Sequence, residues 1–259
     1  MIHNPTIDVL LGHRSIRKYT RQAVPDEVID TIVTAGQQAA FAHQCYSIIL
    51  CKDASKHAFN APLLFTVCVD LHKMEKVMAA RGWQREMCDS ATLLFSIQDA
   101  AYAAQNMVIA AESMGLGTCY LGFVPFAAEA NKERMNLPEK VMPLVGIVMG
   151  YPDQNPPVRP RFPKDFTLFE GRYRQLDDTD VTKAMEQMDK GYLAQNYYRN
   201  NNVMLPLEEK EESYTFSDYS WTEHISRKLG QWERDPEKME ALFATYGFCI
   251  TKKEKTDEI

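Results

Sequence analysis

Apolar residues recur at two periods along this chain, and the period changes at short breaks of glycine, proline or charge. Ile7-Asp8-Val9-Leu10-Leu11 reads as a short helix. Pro25-Asp26-Glu27 opens a second, with Val28, Ile29, Ile32 and Val33 at helical spacing. Tyr46-Ser47-Ile48-Ile49-Leu50 is a β-type run. Leu63-Leu64-Phe65-Thr66-Val67-Cys68-Val69 is another, too apolar for the edge of a sheet. Residues 73–80 form an amphipathic helix. Residues 98–114 are Ala-rich and apolar nearly all round, which predicts a helix in a core or a subunit interface. Gly115-Leu116-Gly117 stops it, and Thr118-Cys119-Tyr120-Leu121 and Leu144-Val145-Gly146-Ile147-Val148-Met149 are further strands.

Prolines at 152, 156, 157, 160 and 163 then mark an extended segment. Beyond it the pattern predicts one helix over 180–198, another over 221–229, and a charged surface loop at Glu208-Glu209-Lys210-Glu211-Glu212 between them. Alternating strands and helices predict an α+β or α/β sandwich with a mixed sheet, followed by a C-terminal arm that lacks a dense core of its own.

Composition narrows the function classes. A chain of 259 residues with net charge −6 lacks the basic balance of a nucleic-acid binder and is unfavourable for an anionic membrane surface. No apolar run reaches spanning length, and the N-terminus lacks the layout of a signal peptide. The six cysteines form no CxxC pair, and several sit in strand-like runs. They read as reduced thiols, so a cytoplasmic location is expected. Histidines at 3, 13, 43, 57, 72 and 224 are scattered and predict no metal site.

Motifs carry the chemistry. Gly115, Gly117 and Gly122 fail the GxGxxG test, because Tyr120 holds the third position and a helix precedes the run. No GxSxG, HExxH or P-loop occurs. Two basic clusters remain. His13-Arg14-Ser15-Ile16-Arg17-Lys18-Tyr19 offers guanidinium forks and a hydroxyl to a phosphate, or is a solvated turn. Arg159-Pro160-Arg161 lies in an extended segment where alternate side chains share a side. Together they predict a phosphate gripped from two distant parts of the chain, each charged hydrogen bond contributing about 1.5–3 kcal/mol.

These residues resemble the FMN-dependent nitroreductases, and within them the NADPH-flavin oxidoreductase and oxygen-insensitive nitroreductase subgroup. The resemblance rests on Gly12 through Tyr19, Gln98-Asp99-Ala100, Ala103-Ala104-Gln105-Asn106 and Ala111-Glu112-Ser113-Met114-Gly115-Leu116-Gly117. It continues through Tyr120-Leu121-Gly122, Gly150-Tyr151-Pro152, Arg159 to Pro163, and Trp221-Thr222-Glu223-His224-Ile225. It implies a three-layer α+β sandwich with a mixed, mainly antiparallel sheet flanked by helices. Residues 1–165 would form the FMN-binding core and 166–259 a helical arm packing on the core or a partner subunit. It further implies a homodimer with FMN at the interface, and helix 98–114 at its centre.

By the same resemblance, His13, Arg14, Ser15 and Arg17 contact the FMN phosphate and ribityl chain, and Arg159 and Arg161 close on the phosphate. Tyr120, Leu121 and Gly122 line the flavin ring. No protein residue is catalytic: NAD(P)H delivers hydride to flavin N5, and nitroaromatics, quinones or flavins take the electrons in ping-pong turnover. Two alternatives stand: a specialised flavin reaction such as dehalogenation, and a flavin-binding carrier or sensor with little turnover.

Three stretches depart from the family. The serine-rich flavin turn is replaced by Gln38-Ala39-Ala40-Phe41-Ala42-His43-Gln44-Cys45, with His43 as a candidate donor. Residues 51–60 lack the Gly-Gly-Gln turn, which leaves the pocket more open there. Glu208, Glu209, Glu211 and Glu212 stand where relatives carry arginines for the 2′-phosphate of NADPH, leaving Arg199 and Arg227 and predicting weakened NADPH selectivity.

Overall fold

The computed structural model describes residues 1–208, 210–231 and 235–250. Glu209 lies outside them. The chain divides into two compact units, one of Met1–Pro156 with the chain from Pro236, the other Pro157–Asp235. The stretch 166–259, expected as one arm, is therefore shared between the two units.

The first unit is built on four strands, β1 (Tyr46–Cys51), β2 (Leu63–Asp70), β3 (Gly117–Leu121) and β4 (Val141–Gly150), in the order β1-β2-β4-β3. Neighbours pair antiparallel throughout. The parallel element among the described residues is a single bridge from Ser15 to Thr118 beside β3. All eight residues of β2 are buried, as its apolar run requires of an interior strand. Pro143 sits in β4 opposite Cys68, next to a register shift after Val67, where a strand tolerates a missing donor.

Helices α1 (Pro5–Gly12), α2 (Asp26–Gln37), α3 (His72–Ala80), α4 (Asp89–Ser113) and α5 (Ala128–Met135) accompany the sheet. Phe65, Val67, Ile147 and Met149 pack on Ile29 and Ile32 of α2 and on Ala103, Met107 and Val108 of α4. The two helices meet closely at Gly36, where an added Cβ would lie 2.6 Å from Met107 Cγ. The opposite face sets Leu64, Cys119 and Val148 against Ala61 and Tyr19. Helix α4 begins at Asp89, well before residue 98. Asp89 is a buried anchor that accepts from Arg85 Nη2 (2.6 Å), Lys140 Nζ (2.7 Å) and the Cys249 backbone N–H (2.6 Å).

In the second unit, α6 (Asp178–Ala194), α7 (Tyr197–Asn201) and α8 (Trp221–Gln231) surround Met188, Tyr192, Tyr198 and Tyr219. This aromatic cluster is a core of its own, contrary to the sequence expectation. The helix expected over 180–198 is broken at Asn196, which takes a left-handed conformation (φ 48°). The last helix, α9 (Pro236–Thr245), belongs to the first unit, where Tyr246 and Phe248 pack with Cys68, Val69, Val141 and Met142. Among the described residues no helix is long and apolar enough to cross a membrane.

Candidate functional site

The basic loop after α1 is pinned to the sheet by isolated bridges, Ser15 to Thr118 and Tyr19 to Pro152. Ile16 N–H donates to the Thr118 carbonyl (2.8 Å), Thr20 N–H to Tyr151 (2.9 Å), and Asp153 N–H to Lys18 (2.9 Å). Ile16 is buried against Gly117, where an added Cβ would fall 2.6 Å from Ile16 Cγ1. Tyr19 donates its hydroxyl to the Ile16 carbonyl at 2.6 Å, and burial pushes that phenol well up. With its backbone bonded, the loop can present side chains without fraying.

His13 leaves α1 with its Nδ1 2.8 Å from Glu112 Oε1, and Thr118 Oγ1 donates to the same oxygen at 2.6 Å. Arg14 and Arg17 form no ion pair among the described residues. They open into different cavities. Arg14 lines one of about 410 Å³ with Gly12, Glu112, Gly117, Gln154 and Asn155. Arg17 lines one of about 860 Å³ with Tyr19, Lys52, Phe59, Asn60 and Pro62. Burial pushes the Cys119 thiol up, while the Arg17 charge and the Ser15 hydroxyl pull it down, which places both side chains over the same strand.

At the end of β3, Tyr120 donates to Gln105 Oε1 (3.3 Å), and burial, with the Glu112 charge adding, pushes its phenol up to about 12. Leu121 packs on Leu64 and Val148, while Gly122 is exposed with open space where a Cβ would stand. Asp99, 1% exposed, accepts the backbone N–H groups of Ala42 (2.6 Å), His43 (3.0 Å) and Cys45 (3.1 Å), fixing the turn that replaces the serines. The His43 ring stands edge-on to Phe95 and lines a third cavity, of about 330 Å³, with Cys45, Met74, Met78 and Met87.

The second unit holds the other predicted arginines. Arg159 donates to Gln195 Oε1 (2.6 Å) and lies 4.2 Å above the Tyr197 ring. Arg161 is exposed and donates to the carbonyls of Arg159 (3.1 Å) and Pro160 (3.0 Å). Arg199 is exposed on α7. Arg227 is 4% exposed and is engaged by Glu212 (2.5 Å), Glu223 (2.7 Å) and the Leu205 carbonyl (2.7 Å). It is a structural brace, and it neutralises part of the acidic stretch assigned from sequence to repel a phosphate.

Sequence reasoning missed Asp99 as the holder of the turn, and Lys52, Phe59 and Asn60 as companions of Arg17. A lone aspartate on the apolar helix 98–114 was the available signal for the first. For the others no sequence signal existed.

Unpaired guanidiniums, the Ser15 hydroxyl and cavities of ligand size fit a phosphate-bearing flavin. Two carboxylates oppose that fit: Glu112 in Arg14's cavity, already bonded to His13 and Thr118, and Asp153 in Arg17's cavity, which the cations Arg17, Lys18, Arg21 and Lys52 outnumber. Among the described residues no cluster could hold a metal ion.

Comparison with known proteins gives a consistent picture. The nitroreductase family model matches residues 50–151. The chain is 36% identical over 212 residues to FMN reductase (NADPH) of Bacillus subtilis, spanning 76% of this chain and 84% of that protein. It is 30% identical over 240 residues to the oxygen-insensitive NADPH nitroreductase of Salmonella typhimurium, spanning 87% and 91%. The structure of NfrA2 from B. megaterium superimposes with a TM-score of 0.82 at 26% identity, covering 96% of this chain and all of that one.

Proposed function

The chain belongs to the nitroreductase family, and from that membership we propose that it is an FMN-dependent, NAD(P)H-consuming oxidoreductase acting on nitroaromatics, quinones or free flavins. The observation that carries this reading is the basic loop: Arg14, Ser15 and Arg17 are presented on a backbone pinned to Thr118, with neither guanidinium ion-paired among the described residues. FMN held by these residues would supply the two-electron chemistry between a reduced nicotinamide and the acceptor, the two using one site in ping-pong order.

The chain's own residues bind and orient. Arg14, Ser15 and Arg17 hold the phosphate and ribityl groups, with His13 fixed beside them by Glu112. Within the second unit, Arg159 and Arg161 are proposed as phosphate-binding cations on the family resemblance alone. Tyr120, Leu121 and Gly122, at the end of β3, would line the flavin ring. The Arg17 charge would favour binding of the anionic cofactor. His43 and Arg199 are the candidates for contact with the nicotinamide or acceptor.

The same membership supports a homodimer. Leu94, Phe95 and Tyr102 stand exposed along α4, with Leu10 and Leu11 exposed on α1, and a second copy would bury them. Light scattering at the mass of two chains would agree; a monomer at micromolar concentration would refute it.

One experiment decides the main reading. Protein reconstituted with FMN should turn yellow, bleach with NAD(P)H, and regain colour with a nitroaromatic. Failure to take up FMN would overturn the reading. Uptake without bleaching by either nicotinamide would make the protein a flavin carrier.

A further inference from the structure

Between β1 and β2 the chain makes two single turns, Ala54–Lys56 and Ala58–Asn60, and this short loop bears two unusual costs. The first is His57, 6% exposed, whose Nδ1 lies 2.8 Å from the Ala61 carbonyl. A carbonyl only accepts, so Nδ1 carries a proton, and Nε2 is the ring's other polar atom. That Nε2 is buried and has no partner among the described residues. The second cost is Phe59, in a left-handed conformation (φ 61°, ψ 16°) and followed by Asn60 at φ 49°. Asparagine visits this region readily, but a phenylalanine there is an outlier. Strain of this kind persists where the surroundings over-determine it, and it collects at functional sites.

What the loop obtains is a position for one aromatic ring. Phe59 lines the 860 Å³ cavity with Arg17, Tyr19 and Asn60, yet remains 42% exposed. A phenyl ring has a negative face, so it attracts the electron-depleted face of a nitroaromatic or quinone. Arg17, proposed above to hold the cofactor, lines the same cavity, so an acceptor that meets bound FMN there would also meet this ring. We infer that Phe59 is a specificity-determining residue, the wall on which planar, electron-poor acceptors pack, held there by the strained 57–60 loop. This rests on the flavin oxidoreductase reading above.

The test compares a planar acceptor, menadione, with hexacyanoferrate(III), an octahedral ion that cannot stack, using FMN-loaded wild type, Phe59→Gly, Phe59→Leu and Phe59→Tyr. FMN affinity is measured separately by flavin fluorescence. The ratio of kcat/KM for menadione to that for hexacyanoferrate(III) should fall about tenfold in the Gly and Leu variants, mostly through KM, and recover in the Tyr variant. Glycine also relieves the backbone strain, so a purely structural role would leave this ratio unmoved. An unchanged ratio in both Gly and Leu variants overturns the inference. A wild type that binds no FMN, or turns over neither acceptor, overturns the underlying reading instead, and the two failures are told apart by the fluorescence titration.

Discussion

Ile16 donates its backbone N–H to the Thr118 carbonyl at 2.8 Å, and this bond, with the bridge from Ser15 to Thr118, pins the basic loop beside β3. The close approach demands a glycine at 117, since a Cβ there would fall within 3 Å of three Ile16 side-chain atoms. Gly117→Ala should therefore push the loop off the sheet edge and destabilise the protein by about 1–3 kcal/mol. FMN affinity should fall with it. Gly122→Ala, where nothing lies within 4 Å, is the control and should leave the melting temperature unchanged. Thermal melts of both variants check this, and an unshifted melt for Gly117→Ala would contradict it.

Arg14 and Arg17 line different cavities, so they should not be equivalent toward the cofactor. Losing a charge-assisted hydrogen bond to the phosphate costs about 1.5–3 kcal/mol, or roughly ten- to a hundredfold in affinity. Titrations with FMN and with riboflavin separate the roles. The arginine that grips the phosphate, when replaced by alanine, should lose affinity for FMN but not for riboflavin. The one that serves the ring or ribityl chain should lose affinity for both. If neither Arg14→Ala nor Arg17→Ala weakens FMN binding, the phosphate assignment is wrong.

The strands and the central helix were legible because their apolar residues face a sheet or a helix at a fixed period. The ends of elements were less so. The start of α4 is set by Asp89, a buried carboxylate whose partners Arg85, Lys140 and Cys249 come from elsewhere in the chain. Helix α5 is polar on most sides and gives no periodic signal. The basic loop was readable from residue types alone, but its division between two cavities was not, because that depends on where the chain after β4 returns. Arg227 was read as a free cation because its partner Glu212 lies fifteen residues away in sequence. A left-handed Phe59 has no signature at all, since composition predicts glycine or asparagine at such a position.

Asp99 holds the 42–45 turn through three backbone N–H groups, and it is almost fully buried. Asp99→Asn keeps the size but replaces one acceptor oxygen with a donor that faces N–H groups. Leaving such donors unsatisfied costs about 1–3 kcal/mol, so the variant should unfold at lower denaturant. Because the turn also carries His43 and Cys45 to the 330 Å³ cavity, its loosening should raise backbone amide exchange at 42–45 above that of the sheet. Equal protection in variant and wild type would show that the turn is held by other contacts.

Arg227 holds the Glu212 carboxyl at about 2, down from 4.5. A carboxylate whose folded value is depressed contributes stability that is complete above its unfolded value and is lost as pH falls through the folded one. The contribution of this pair is therefore full above about pH 5 and disappears progressively between 4.5 and about 2. Glu212→Gln removes that titration while keeping a hydrogen-bond acceptor for Arg227. Chemical denaturation followed by the tyrosine and tryptophan signal of the second unit, repeated from pH 6 down to about 3, should show wild type losing stability more steeply than the variant. The difference between the two should be largest at pH 6 and shrink with acid, and a difference that stays constant across the range would mean that the Glu212 charge does not stabilise the fold.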